Sequence, residues 1–216
     1  MGGGAVESPL RDRTFGDTAG IRLIETLLWD GADYPRLPLH LARLSQGAAR
    51  LGFACDIASV WAALMAASDS APLRVRLTLG PAGDVEVTSA PLPPAKAEWR
   101  VGLAPTRLFS ADPWLAVKST HRPAYDAARA ALPAGLDEVI FLNEQDEVCD
   151  GSITTVFFDR GQGMRTPPLS SGLLPGVLRA EMDVPEEVLM ACDLPHVRLW
   201  VGNALRGLIP AVWTAN

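Results

Sequence analysis

Apolar and polar residues alternate strictly along Leu73–Leu79, and the alternation resumes along Asp84–Thr88. The four residues between these segments, 80–83, include two glycines and one proline, a composition typical of a tight turn. A two-residue period places one face of a strand against a core and the other toward solvent. These segments therefore predict an antiparallel hairpin, the clearest element in the chain, and require a fold that contains a sheet.

The segments around this hairpin predict an α+β domain. Ile21–Trp29 is rich in β-forming residues and is predicted as a strand, as is Trp99–Ala104. Apolar residues at spacings of three and four predict an amphipathic helix over Leu37–Leu51, which Gly52 ends. A second helix is predicted over Ile57–Ala67. The order of one strand, two helices and several strands indicates an α+β architecture.

The second half of the chain also mixes helices and strands. A short Ala-rich helix is predicted over Pro123–Leu132, and Pro175 is suited to the first position of another helix. Strands are predicted over residues 137–142, 147–149, 153–158, 197–201 and 208–213. We therefore predict two domains, an N-terminal one over residues 1–108 and a C-terminal one over residues 109–216.

The composition of the chain argues against several classes of function. A hydrophobic fraction of 48% and a charged fraction of 20% are those of an ordinary globular protein. The net charge of -6 argues against a nucleic-acid-binding surface, although it allows a local basic pocket for a small anion. No apolar run is long enough for a membrane span, and no signal peptide is evident. The three cysteines are scattered, which favours a reducing, cytoplasmic environment.

Lys118 is one of only two lysines in a chain with seventeen arginines, and four apolar residues precede it. The other, Lys96, lies in a stretch rich in proline and alanine that is predicted to be solvated. A buried lysine is costly, and its lowered pKa makes its amine a nucleophile near neutral pH. The alternative interpretation is that Lys118 ends a strand and its amine reaches water.

Three further segments supply chemistry that complements a reactive lysine. Val148–Phe157 carries an Asp-Gly-Ser turn that leads into a buried strand. Ser170–Arg179 is a glycine-bearing loop that opens a helix, where free N–H groups can hold a phosphate. Val201–Arg206 is a turn of small residues. A Schiff-base lysine, an acid for a ring nitrogen and two phosphate-binding turns are the parts that a pyridoxal phosphate site requires.

The order and spacing of these segments resemble the class IV aminotransferase family, the fold-type IV pyridoxal phosphate enzymes. This family includes D-amino acid aminotransferase, branched-chain aminotransferase and aminodeoxychorismate lyase. The segment His40–Leu44 matches the His-x-x-Arg-Leu motif of the family, and the resemblance extends from about Phe15 to Pro210. It implies a smaller N-terminal α/β domain, a larger β-rich C-terminal domain, and a homodimer with the active site at its interface.

The resemblance assigns the cofactor, pyridoxal 5'-phosphate, to particular residues. Lys118 would attach to it covalently and later move the α-proton of the substrate as general base and acid. Asp150 would face the pyridine nitrogen, where the family usually has the longer Glu, so the contact would be longer or water-mediated. Thr155 stands where the family often has Asn. The phosphate would be bound by Arg43, by the backbone of Val177 and Leu178 beside Gly176, and by the turn at Asn203 and Ala204.

The residues that would bind the small-molecule substrate follow less directly from the resemblance. Arg107 matches an arginine that precedes the lysine in aminodeoxychorismate lyases, although it could equally be a solvated charge of a connection. Arg74 and Arg76 share one strand face, so one of them, Arg76, could enter the pocket, or both could face solvent. Glu25 matches a residue of the first long strand and could line the pocket. The three histidines form no metal-ligand spacing, so no metal site is predicted.

Within the family, residues 137–144 and 173–179 look most like aminodeoxychorismate lyase. Such an enzyme removes the α-proton of 4-amino-4-deoxychorismate and releases pyruvate and 4-aminobenzoate, a folate precursor. A branched-chain or D-amino acid aminotransferase that uses 2-oxoglutarate is the alternative. A cofactor-binding relative without catalysis is a further one, because the hairpin before Phe15 is abbreviated and the stretch Glu181–Leu194 is compressed.

Overall fold

The computed structural model describes residues 15–215; the abbreviated hairpin inferred before Phe15 lies outside them. The N-terminal part is a three-stranded antiparallel sheet in the order β1-β2-β3, with two helices between β1 and β2. The predicted hairpin is confirmed, because Val75 and Leu77 are buried while Arg74 and Arg76 are exposed. The elements are β1 (Leu23–Trp29), α1 (Leu37–Leu51), α2 (Ile57–Ala66), β2 (Leu73–Leu79) and β3 (Val85–Pro91).

Local signals in the sequence set the ends of both helices. Gly52 ends α1 at a φ of 70°, in the left-handed region that favours glycine, and its N–H bonds back to the last turn. The Asp56 side chain accepts from the N–H groups of Ala58 and Ser59 and so begins α2. Apolar residues of both helices, including Leu44 and Val60, pack with β1 and β2 in one core.

The C-terminal part is a six-stranded sheet in the order β6-β5-β4-β9-β8-β7. The outermost strands, β6 and β7, follow each other in the chain and are separated by only residues 152–154, so the sheet must curl into a barrel-like shape. The remaining elements are β4 (Trp99–Leu103), α3 (Pro123–Ala130), β5 (Glu138–Leu142), β6 (Val148–Gly151), β7 (Thr155–Asp159), α4 (Val177–Met182), β8 (Arg198–Asn203) and β9 (Gly207–Trp213), with 3-10 helices at Pro113–Ala116, Leu169–Ser171 and Ala191–His196.

The change from one sheet to the other falls between Pro91 and Trp99, ahead of the division predicted at residue 108. Strand β4 lies in the six-stranded sheet, parallel to both β5 and β9. Its pattern predicted a strand but not its partners, which lie far along the chain. Helix α4 begins at Val177, two residues after the predicted Pro175, because Gly176 occupies the N-cap position.

The segment that carries Lys118 joins the two parts of the fold. The Ile24 N–H donates to the Lys118 carbonyl at 2.9 Å, and the Thr120 N–H donates to the Arg22 carbonyl at 2.8 Å. These bonds flank an antiparallel bridge between Leu23 and Ser119. They fix the backbone of Lys118 against the start of β1. Among residues 15–215, no helix combines the length and apolar character needed to cross a membrane.

Candidate active site

A cavity of about 510 Å³ lies between the two sheets, and its size is typical of a ligand-binding pocket. Strands β1 and β2 contribute one wall through Thr26 and Arg76. Strands β6 and β7 contribute another through Asp150 and Thr155. The side chain of Lys118 lies in the same cavity, so the structure brings together residues from distant parts of the chain.

Lys118 has an amine that is ready to react near neutral pH. Burial lowers its pKa from 10.5 to about 7, and the positive charge of Arg43 acts in the same direction, while Glu25 opposes both. A large fraction of the amine is therefore neutral, and nucleophilic, at pH 7. Lys118 is only partly buried and lines the cavity, so its amine reaches the space that a ligand would fill.

Asp150 is buried at the end of β6 and is 5% exposed. Its carboxylate accepts from the Tyr125 hydroxyl at 3.0 Å and from the Leu174 N–H at 3.2 Å. It forms no ion pair with any residue between 15 and 215. Burial raises its pKa from 3.8 to about 7, although both hydrogen bonds act against the rise. A cationic ligand group placed beside it would meet an uncompensated acid.

Tyr125, which holds Asp150, was not predicted as a site residue. It lies on α3, and its ring packs edge-on against Phe141 with the centroids 4.9 Å apart. The guanidinium of Arg122 also lies over this ring, 5.2 Å from its centroid. Nothing in the local sequence pattern distinguishes this tyrosine from one that only packs in the core.

Glu138 is a second site residue that sequence reasoning missed. It is fully buried at the start of β5 and organises the turn after Asp150. Its carboxylate accepts from the N–H groups of Ser152 and Ile153 and from the Thr154 hydroxyl. An acidic residue at the start of a strongly apolar strand was the signal available in the sequence, since a buried carboxylate requires partners.

Arg43 reaches the cavity from α1 and is held by Glu25. The two side chains form a bidentate pair, with nitrogen–oxygen distances of 2.9 and 2.6 Å. His40 Nδ1 lies 2.6 Å from the same Glu25 carboxylate. Burial alone would raise the pKa of Glu25, but Arg43 and His40 together lower it to about 2. The remaining Arg43 amino group donates to the Pro175 carbonyl at 3.3 Å.

Glu25, which was predicted to contact the substrate, does not line the 510 Å³ cavity. Ile24 and Thr26 line the cavity, and Glu25 between them points to the opposite face of β1, toward α1. Successive side chains of a strand alternate between faces, which explains the difference. Glu25 therefore orients Arg43 and lines a second cavity, which Lys118 and Arg43 also line.

The predicted phosphate-binding segments also meet at the cavity. Gly176, Val177 and Leu178 lie at the start of α4, where first-turn N–H groups have no partner within the helix. A Cβ on Gly176 would lie 2.5 Å from the Thr155 hydroxyl oxygen, so any larger residue would require the Thr155 side chain to shift.

Asn203 and Ala204 line the cavity at the turn after β8. The Asn203 side chain is committed to that turn: its oxygen accepts from the N–H groups of Leu205 and Arg206, and its amide donates to the Ile153 carbonyl at 3.1 Å. The side chain therefore shapes the turn and ties it to the loop after Asp150.

The arginines predicted to bind substrate differ in their positions relative to the cavity. Arg107 does not line the cavity; it is half-exposed, forms an ion pair with Asp146 and donates to the Asn143 carbonyl at 3.2 Å. The connection that carries it runs beside the β5–β6 turn, and its predicted substrate contact stays a prediction. Arg74 and Arg76, in contrast, both line the cavity.

These residues fit pyridoxal phosphate. A reactive amine, an unpaired acid, an arginine and free helix N–H groups are the donors and acceptors that its aldehyde, ring nitrogen and phosphate need. Gly202 lets β8 pack closely on the start of α4, since a Cβ there would lie 2.5 Å from a Leu178 methyl carbon. Among residues 15–215 there is no group of three His, Cys, Asp or Glu side chains placed to hold a metal ion.

Known proteins resemble this chain in sequence. The family model described as amino-transferase class IV matches residues 22–212. A Schizosaccharomyces pombe protein provisionally named aminodeoxychorismate lyase is 32% identical over 167 residues, which cover 74% of this chain and 72% of the relative.

Solved structures extend the similarity to the whole fold. A Mesorhizobium loti protein provisionally named an amino-acid aminotransferase is 42% identical, with a TM-score of 0.86 over 90% of this chain and 100% of its own. The 4-amino-4-deoxychorismate lyase of Pseudomonas aeruginosa is 22% identical, with a TM-score of 0.77 over 99% of this chain and 89% of its own. The fold predicted from the sequence, that of the fold-type IV enzymes, is confirmed.

Proposed function

Since the chain belongs to the class IV aminotransferase family, whose members are pyridoxal phosphate-dependent enzymes, we propose that it is a 4-amino-4-deoxychorismate lyase that forms 4-aminobenzoate and pyruvate. One observation carries the proposal of a cofactor-dependent enzyme: Lys118, Asp150, Arg43 and the start of α4 line a single cavity. The choice of lyase is supported by the name of the Schizosaccharomyces pombe relative.

In this proposal, some residues of the chain bind the cofactor and one transfers the proton. Arg43 and the N–H groups of Val177 and Leu178 hold the phosphate, and Asp150 holds a proton on the ring nitrogen. Bound pyridoxal phosphate supplies an electron-withdrawing ring that acidifies the α-C–H group of the substrate. The amine of Lys118, with a pKa of about 7, accepts that proton and can return it as an ammonium acid.

An amino acid aminotransferase is the second candidate, favoured by the name of the 42% identical Mesorhizobium loti protein. It would act on branched-chain or D-amino acids with 2-oxoglutarate. The same residues would bind the cofactor and remove the α-proton. The lyase and the aminotransferase would differ in where the abstracted proton is returned. In the aminotransferase, the amino group of the first substrate would also be kept and passed to 2-oxoglutarate.

Product analysis separates the candidates. The purified protein, loaded with pyridoxal phosphate, is given 4-amino-4-deoxychorismate, and in parallel branched-chain and D-amino acids with 2-oxoglutarate. We expect 4-aminobenzoate from the first reaction, and a loss of at least about a thousandfold in Lys118→Ala, which lacks both the attachment and the proton acceptor. Transamination without 4-aminobenzoate would overturn the lyase in favour of the aminotransferase. Bound cofactor without either product would indicate a catalytically inactive relative.

We also propose that the protein is a cytoplasmic homodimer, on the resemblance to its family. Large apolar side chains that a partner subunit could cover are Phe109, 64% exposed, and Leu169, 45% exposed. Light scattering of the purified protein tests the dimer. A fully active monomer would refute it.

A further inference from the structure

The cavity is unusually rich in arginine for a chain of net charge -6. Apart from Arg43, its lining includes Arg74, Arg76, Arg122, Arg129 and Arg206. Two of these have carboxylate partners, because Arg122 pairs with Asp126 and Arg129 with Glu138. Within residues 15–215, the other three form no ion pair. Three guanidinium groups without a directly contacting carboxylate among residues 15–215 therefore face one cavity.

The strand geometry directs two of these arginines to the same place. Arg74 and Arg76 are two residues apart on β2, so their side chains leave the same face of the sheet. Val75, between them, is fully buried in the core on the opposite face. Arg76 is paired in register with Thr26 of β1, which also lines the cavity.

Arg206 enters the cavity from the turn between β8 and β9. Its guanidinium lies over the Trp99 ring, 5.3 Å from the centroid. Its Nε is buried and has no hydrogen-bond partner among the described residues. A buried N–H group without an acceptor is costly, so an anionic ligand oxygen would satisfy it.

The three arginines also influence one another. The pKa of Arg76 is lowered by burial first and then by the charges of Arg122 and Arg74, while the charge of Asp126 opposes them. The pKa of Arg206 is lowered by burial first and then by Arg129 and Arg74. Arg74 therefore acts on both of the others, and the repulsion among them is relieved when an anion binds between them.

We propose that Arg74, Arg76 and Arg206 form a subsite for a carboxylate of the substrate that is remote from its reacting amino group. The substrates of this protein are then dicarboxylates, and molecules with a single carboxylate are poor ones. The inference rests on the proposed function, because it takes the Lys118 cavity as the active site. Arg43 lies outside the subsite, since it contacts the Pro175 carbonyl beside the start of α4, where the phosphate is proposed to bind.

Calorimetric titration of the cofactor-loaded protein tests the subsite with two unreactive probes, benzene-1,3-dicarboxylate and benzoate. We expect the dicarboxylate to bind at least about tenfold more tightly, because its second carboxylate forms charge-assisted hydrogen bonds. Arg76→Gln and Arg74→Gln should each weaken the dicarboxylate about tenfold and leave benzoate within about twofold. Arg198→Gln, an exposed arginine paired with Asp159, is the matched control and should change neither affinity.

Three outcomes would overturn the subsite: equal binding of both probes to the wild type, equal weakening of both in the variants, or displacement of the dicarboxylate by an equal concentration of inorganic phosphate. The visible absorption of bound cofactor is recorded for each variant and should stay unchanged. If the wild type binds no pyridoxal phosphate, the proposed function fails, while the same titration without cofactor still decides the subsite.

Discussion

Two buried carboxylates, Glu25 and Asp150, lie at the same functional site in opposite electrostatic states. Glu25 is 3% exposed and is bound by Arg43 and His40, which more than offset burial and lower its pKa to about 2. Asp150 is 5% exposed and accepts hydrogen bonds only from neutral donors, so burial raises its pKa to about 7. Similar burial therefore produces opposite charge states, and the partners decide which.

The difference indicates different tasks. The charge of Glu25 is compensated within the chain and serves to orient Arg43 and stabilise the packing of α1 on β1. The charge of Asp150 has no partner among residues 15–215, and a protonated ring nitrogen would supply one. Changes at Glu25 should therefore affect mainly folding, and changes at Asp150 mainly chemistry.

Glu25→Gln should have the largest effect on stability. It leaves the partly buried Arg43 without its carboxylate, and breaking a buried pair in this way costs about 3 to 5 kcal/mol. Urea denaturation at pH 7 measures the loss. Glu187→Gln, in an exposed pair with Arg160, should cost under about 1 kcal/mol. Equal losses in the two variants would contradict the structural role of Glu25.

Asp150→Asn should reduce turnover about a hundredfold, equivalent to ~2.7 kcal/mol, because an amide cannot hold a proton on the ring nitrogen. Its free energy of unfolding at pH 7 should stay the same or rise, since no buried carboxylate then has to ionise. Steady-state kinetics at saturating cofactor and urea denaturation measure the two quantities. Asp193→Asn, at an exposed pair with Arg160, is the control. Undiminished turnover would remove Asp150 from the chemistry.

The pH dependence of stability should have opposite signs for the two groups. Between pH 4 and about 7 the folded protein keeps a proton on Asp150 that the unfolded chain releases, so stability falls as pH rises, by up to about 1.4 kcal/mol per unit. For Glu25 the stabilisation is lost as pH falls from 4.5 to about 2.

Denaturation without cofactor across this pH range tests the prediction. The advantage of Asp150→Asn over the wild type should grow from pH 4 to 7, and the deficit of Glu25→Gln should shrink from pH 4.5 to 2. Differences that stay constant with pH would mean that neither carboxylate has a perturbed pKa.

Tyr125→Phe should have the smallest effect. It removes one hydrogen bond to Asp150, worth about 1 kcal/mol, and so weakens pyridoxal phosphate binding about fivefold. The dissociation constant of the cofactor, followed by its absorption, measures this change. Tyr34→Phe removes a hydroxyl that donates to the Leu64 carbonyl, away from the cavity, and should leave cofactor binding unchanged.

Features with a short sequence period could be predicted, and so could the segments whose residues carry chemistry. The hairpin and α1 follow from periodicity, and Lys118, Asp150 and Arg43 do meet at one cavity. The direction of Glu25 could not be predicted, because Leu23, Ile24 and Glu25 are all buried. Strand β1 is covered on both faces, so its pattern does not mark which face lines the cavity.

Contacts between residues that are distant in the chain could not be predicted from the sequence either. Tyr125 and Asp150 are 25 positions apart, and Arg107 contacts Asn143 at 36 positions. A single sequence gives the elements that carry such residues but not how these elements pack. Arg107 could thus be recognised as an arginine near the lysine, while its contact with the β5–β6 turn depends on the path of the connection.

Because the chain has only two lysines, the residue that attaches pyridoxal phosphate can be identified directly. The protein is incubated with pyridoxal phosphate, its absorption spectrum is recorded, and the adduct is reduced with borohydride and located by peptide mass spectrometry. We expect a visible absorption band that reduction removes, with the label on Lys118 and absent from Lys118→Ala. A label only on the exposed Lys96, or no band in the wild type, would contradict it.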